Sequence, residues 1–160
     1  MQIPDIPGPL PIVGAPPLGF RFSVLFLAGG IIPNPVDFMF QKVSGLGSSV
    51  ETEPLEEGGQ NLYTQSLPKK ITHENLVLER GMAVGSPLVI EFNETMSRFK
   101  FYPSRVLVTL LDNTRMPIAA WLFLNAYPVR WRISDLDAES NSVVIETMEL
   151  TYQNMRVIRI

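Results

Sequence analysis

Residues 125–150 read NAYPVRWRISDLDAESNSVVIETMEL. The stretch carries five carboxylates, Asp135, Asp137, Glu139, Glu146 and Glu149, beside Tyr127, Trp131 and an apolar run. Two readings compete: an acidic catalytic or metal site, or two strands joined by a turn. Strand side chains alternate between faces, so Glu146 and Glu149, three apart, point to opposite sides and do not form a glycosidase-type pair. Asp135, Asp137 and Glu139 have the alternate spacing of a calcium loop. The sixth loop position, however, is Ser140 where glycine is needed, and the stretch continues as a strand where a helix is needed. The turn reading therefore wins: WRISDLD, a reversal over residues 138–141, then NSVVIETMELTYQ as a long strand with Val144, Met148, Leu150 and Tyr152 on one face.

The same period extends upstream. SRVLVTLLD and MPIAAWLFLNAYP are strands joined through residues 112–115. FRFSVLFL alternates Phe20, Phe22, Val24 and Phe26, and Gly29-Gly30 with Pro33-Asn34-Pro35 marks a turn before VDFMFQKVS. After Gly45-Leu46-Gly47, SSVETEPLEE places Glu51 and Glu53 on one side of a strand with one wet face, ending at Gly58-Gly59. GGQNLYTQSLPKK reads as a long loop leaving at Pro68, and ITHENLVLER as a strand with Leu76 and Leu78 on one face. A short strand follows in MRVIRI. The period becomes helical only in SPLVIEFNETMSRF. There Ser86 is the N-cap, Pro87 the first helical residue, and Leu88, Phe92, Thr95, Met96 and Phe99 form the apolar stripe. Seven to nine strands with short connections and one helix predict a mainly β fold, an antiparallel barrel or sandwich with one flanking α-helix.

Two domains of different character are expected: a Pro-rich apolar N-terminal arm over residues 1–19, with six of the fourteen prolines, and a β domain over residues 20–160. Proline fixes φ and removes a donor, so the arm is neither helix nor central strand. Its apolar residues, Ile3, Ile6, Leu10, Ile12, Val13 and Leu18, suit a protein surface better than water.

Composition excludes several classes of function. With no cysteine, disulfides, thiolate metal sites and cysteine nucleophiles are out. A net charge of −3 with scattered Lys and Arg gives no nucleic-acid specificity. His73 is the lone histidine and nothing nominates an orienting partner, so it reads as a surface or ring-packing residue. No catalytic, cofactor or metal residue is nominated, and no cofactor is expected. The N-terminus lacks a secretory signal, and the uncharged stretches 6–20 and 22–36 are each 15 residues, short of a membrane span. Cytoplasmic synthesis and assembly, with exit inside a particle or by lysis, is the expectation. A rival reading makes Trp121, Trp131 and Tyr127 the stacking platform of a small carbohydrate- or ligand-binding sandwich; these aromatics also suit core packing. A hydrolase built on the acidic pairs lacks a converging base, nucleophile or metal set.

Four segments in order carry a resemblance: FQKVSGLGSSVETEPLEEGG (40–59), LPKKITHENLVLERG (67–81), VTLLDNTRMPIAAWLFLNAYPVRW (108–131) and DLDAESNSVVIETMEL (135–150). Together they resemble the inner tube proteins of contractile phage tails and phage-tail-like injection systems, over about residues 20–152. The resemblance implies a fold similar to the haemolysin-coregulated ring proteins and a homohexameric ring around a lumen. It also implies partners in the neighbouring tube rings, spike or hub and baseplate proteins, a surrounding sheath, and a payload in the lumen. The segment over residues 58–81 is more similar to baseplate-proximal tube initiators than to the repeating trunk protein. By resemblance, residues 44–59 reach the next ring. The inter-subunit candidates are Ser44, Gly45, Leu46, Glu51, Glu53, Glu56, Gly58, Gly59, Leu67, Pro68 and Arg80. The core and family-motif candidates are Trp121, Asn125, Tyr127, Pro128, Trp131, Val144, Met148 and Leu150.

Overall fold

The computed structural model describes residues 21–27, 40–56, 58–59, 62–139 and 141–159. The arm over residues 1–19, Phe20, the expected turn at residues 29–35 and the first part of VDFMFQKVS lie outside the described residues. The described elements run β1 (Phe22–Leu27), β2 (Lys42–Ser44), β3 (Ser48–Leu55), β4 (Gln65–His73), β5 (Leu76–Gly81), α1 (Pro87–Arg98), β6 (Ser104–Leu111), β7 (Pro117–Ile133), β8 (Ile145–Thr151) and β9 (Asn154–Arg159).

All pairings are antiparallel, and β7 organises them. MPIAAWLFLNAYP and WRISDLD are not separate strands: one 17-residue strand runs from Pro117 to Ile133. Its first half pairs β6 on one side and β9 on the other; its second half pairs β8. Between the halves Asn125 sits at φ 54, a left-handed conformation that asparagine tolerates better than most residues. The strand bends there and passes from one sheet, β1-β6-β7-β9, into another, β7-β8-β5-β2. The Asn125 amide donates to the Gln153 side chain, and the Gln153 N–H donates to the Leu124 carbonyl. These bonds pin the bend to the turn where β8 becomes β9.

The core lies between the two sheets. Val24 and Phe26 of β1, Val106 and Val108 of β6, Phe123 and Ala126 of β7, Leu76 and Leu78 of β5, and Met148 and Leu150 of β8 are all buried. Burying each large apolar side chain contributes on the order of 2 kcal/mol. The helix adds Leu88 and Phe92 to this core, where they line a small cavity with Phe26, Pro128 and Leu150. Of the expected stripe, Leu88, Phe92 and Thr95 are buried, but Met96 and Phe99 are exposed. Phe99 is the C-cap at φ 54, and that left-handed step turns its side chain away from the sheets. Ser86 is the N-cap, yet its hydroxyl makes no cap hydrogen bond; it accepts from the Arg80 guanidinium instead.

Inside this apolar shell, among the described residues, lies one ion pair. Arg80 Nε donates to Glu146 Oε2 at 2.9 Å, and both side chains are 1% exposed. Trp131 Nε1 donates to the other Glu146 oxygen, and the guanidinium lies over the Phe40 ring. Strand alternation accounts for this: Glu146 shares its face with Met148 and Leu150, and Arg80 shares its face with Leu76 and Leu78. The pair fastens β5, β8, β7, the helix start and Phe40 together.

Candidate assembly interface

Gln65 to His73 is not a loop leaving at Pro68 but strand β4, which pairs with β3 as a two-stranded ribbon. The ribbon continues the β2–β5 ladder, since Ser44 pairs with Val77 and Ser48 with His73. Between these pairs the chain breaks step at residues 45–47 and 74–75. Gly45 sits at φ 83, and a Cβ there would come within 2.0 Å of the Asn75 carbonyl oxygen. Only glycine permits that approach, so Gly45 holds the root of the ribbon against the chain before β5.

No residue of β3 is buried, and in β4 only Thr72 and His73, at its root, are partly covered. Pro68 fits because a two-stranded ribbon has two edges; it pairs with Thr52 beside the irregularity after Glu51, where a ladder bond is already lost. The faces differ. One carries Ser49 with Thr72, their hydroxyls 2.8 Å apart, then Glu51 with Lys70 and Glu53 with Lys69 as ion pairs at 3.5 Å. The other carries Val50 opposite Ile71, 54% and 64% exposed. At the outer end Gly58-Gly59 forms the turn, and Leu62 and Tyr63 stand in solvent. At the root His73 packs on Tyr152, which packs on Phe123; His73 Nδ1 and the Tyr152 hydroxyl are buried without a partner. Burial, with the charge of Glu74, raises the Tyr152 hydroxyl above its usual range.

The structure thus brings Ser44, Leu46, Glu51, Glu53, Glu56, Gly58, Gly59, Leu67 and Pro68 together along one ribbon and its root. It does not bring Arg80 with them. Arg80 faces inward from β5 and is spent on Glu146, which corrects its nomination as an inter-subunit residue. The alternation LVLERG puts Arg80 in the same row as Leu76 and Leu78, which faces inward. Val50, Ile71, Leu62 and Tyr63 were not nominated at all. Their signal is an apolar side chain with no apolar partner two residues away, and it becomes visible only once β3 and β4 are known to lack a covering layer.

The acids of residues 125–150 divide as strand alternation requires. Glu146 is internal; Glu149 faces outward and accepts from Arg130 and Asn75. Asp137 accepts from the Glu139 N–H in the turn. Trp131 is tied to Glu146, Trp121 packs against the core, Tyr127 meets the edge of Phe101, and Pro128 is buried. Val144 is partly buried just before β8, and Asn125 is exposed at the bend. The aromatics do not form a shared stacking platform.

The sequence profile of the family described as T4-like virus tail tube protein gp19 matches residues 18–156. The chain belongs to this tail tube family. A chain of the anti-feeding prophage baseplate, solved by cryo-electron microscopy with sixfold symmetrisation, is 39% identical. That match covers 91% of this chain and 97% of the other, with a TM-score of 0.82. A chain of an extracellular contractile injection system, the PVC sheath–tube complex in its extended state, is 21% identical at a TM-score of 0.76, covering 92% and 95%. Hcp1 from Salmonella typhimurium shares the fold at a TM-score of 0.52 and 12% identity, covering 84% and 83%. None of the curated proteins matches the sequence. The tail tube protein is a structural subunit of contractile injection systems and not an enzyme. Its place is in an assembled tube of a phage-tail-like particle.

Proposed function

We propose that this tail tube protein is the tube initiator, a homohexameric ring at the baseplate that joins the spike or hub below to the trunk tube above. One observation carries the reading: identity to the anti-feeding prophage baseplate chain is 39%, against 21% to the PVC sheath–tube chain, over nearly the same length. An initiator must fit different partners on its two ring faces, whereas a trunk ring must fit itself. In this reading the β3–β4 ribbon is the contact to the adjacent ring. Its tip residues Leu62 and Tyr63 and its Val50–Ile71 face are covered on assembly, and Glu51 and Glu53 fix register through charge. Ring closure covers open strand edges that a lone subunit leaves unpaired. The ring assembles in the bacterial cytoplasm, the sheath surrounds the tube, and the lumen holds the payload.

Labelling the protein in purified particles tests this. Density confined to one ring next to the baseplate is the expected result. Label repeated along the tube would make it the trunk subunit instead. A strictly monomeric product at high concentration that never enters particles would overturn both.

A further inference from the structure

An aromatic knob stands where the chain leaves α1 for β6. Phe99 is 83% exposed and sits at φ 54, a left-handed conformation that disfavours bulky side chains. Its ring is held in place: the centroid lies 4.9 Å from that of Phe101, edge to face, and Phe101 lies 5.4 Å from Tyr127 of β7 in the same way. Met96, one helical turn earlier, and Tyr102 are exposed too. Glycine fills such a cap without strain, so a phenylalanine fixed there gains only where another surface covers it. A hole lies at the other end of β6. An apolar cavity of about 370 Å³ opens between the sheets, lined by Phe22, Val108, Leu110 and Trp121 from one and by Val43 and Leu46 from the β2 side. All but Val108 are only partly buried. A cavity of ~150 Å³ takes a benzene ring, so this one has room for a phenylalanine side chain.

We propose that Phe99 of one subunit seats in this cavity of the next copy around the ring, with its Lys100 against that copy's Asp112. The contact deepens the ring reading above and rests on it. Reach excludes a contact within one chain: β6 from Ser104 to Leu110 separates knob from hole by about 20 Å. Knob and hole are thus different patches of one surface, a heterologous contact that passes from copy to copy and closes where the rotation closes. Burying an aromatic side chain takes roughly 150–250 Å² out of water, and such anchors carry most of the energy of an interface. Charge matches at the rim. Lys100, next to the knob, has no ion-pair partner among the described residues. Asp112 follows Leu110 by two residues, and the hydrogen bonds of its own turn all reach Oδ1, which leaves Oδ2 for a cation.

Photo-crosslinking of the full chain tests the contact. Phe99→p-benzoylphenylalanine keeps an aromatic knob. Irradiated rings should give a covalent ladder beyond the dimer, with attachment mapped by mass spectrometry to Val43, Leu46, Leu110 or Trp121. Phe99→Gly supplies a second measurement. Glycine suits the left-handed cap, so the monomer should melt no lower than the parent, while the concentration needed for rings in electron micrographs rises about 10-fold or more. Rings that crosslink elsewhere, to another protein or not at all overturn the contact and leave the ring reading standing. A product that stops at the dimer, or Phe99→Gly rings at the parent's concentration, overturns it as well. If the parent chain forms no rings at any concentration, the ring reading falls and the contact with it.

Discussion

The body and the β3–β4 ribbon are built from the same secondary structure and obey different physics. In the body, alternate side chains meet between two sheets, and positions such as Leu78, Phe123 and Met148 are 0% exposed. In the ribbon the ion pairs lie on one face and Val50 with Ile71 on the other, yet among the described residues neither face is covered. A two-stranded ribbon alone is marginal in water. It is held here by the ladder, by ion pairs that each contribute well under ~1 kcal/mol, and by its root at Gly45 and His73. Substitutions in the core of the body therefore act on folding, and substitutions in the ribbon act on assembly.

The largest effect should come from Met148→Asp, which places an unpaired charge between the sheets. Loss of ~4 kcal/mol or more, seen as failure to fold by circular dichroism, is expected. A folded variant that assembles would mean that the body does not depend on this row. Next is Arg80→Met, which strands Glu146 in the core and should cost about 3–5 kcal/mol in urea denaturation. Arg80→Met with Glu146→Leu should regain most of that loss, because the pair as a whole contributes little net stability. Gly45→Ala, at the boundary between body and ribbon, should cost at least about 1–2 kcal/mol for the left-handed backbone, with the clash against Asn75 added.

Glu91 gives a smaller effect with a definite sign. Burial, with the nearby Glu94 charge, raises its carboxyl above the usual glutamate value of 4.5, and one oxygen is buried without a partner among the described residues. An acid whose folded pKa is raised is penalised when ionised. The contribution of Glu91 to stability is therefore least unfavourable at low pH, and it worsens as pH rises from about 4.5 through the folded value. Glu91→Gln should raise the melting temperature at pH 7 and leave it unchanged near pH 3.5; an equal gain at both would remove ionisation as the cause. The smallest stability effect belongs to the ribbon. Glu51→Lys with Glu53→Lys should shift stability by no more than about 1 kcal/mol while abolishing ring stacking in electron micrographs. Normal tubes from this variant would end the distinction between body and ribbon.

Much of the body was legible because burial and strand period coincide there. The alternation in VLVTLL and IETMEL places core residues by parity alone, and Asp112, which accepts from Thr114 and Met116, made the β6–β7 turn readable. The ribbon was half legible. SSVETEPLEE announces a strand, but the chain from Gly58 to Lys70 reads as loop, since Pro68 argues against a central strand and period cannot reveal an edge.

By itself, then, the sequence determined the class of fold, the strand period, the helix and the separation of Glu146 from Glu149, because these depend on local geometry that every residue carries. Only the tertiary structure decided that Arg80 and Glu146 are a buried pair, that one strand bends at Asn125 to serve two sheets, and that an exposed ring and an apolar cavity lie at opposite ends of β6. Those depend on which surface lies opposite each side chain, and residues far apart in the chain fix that only when they meet.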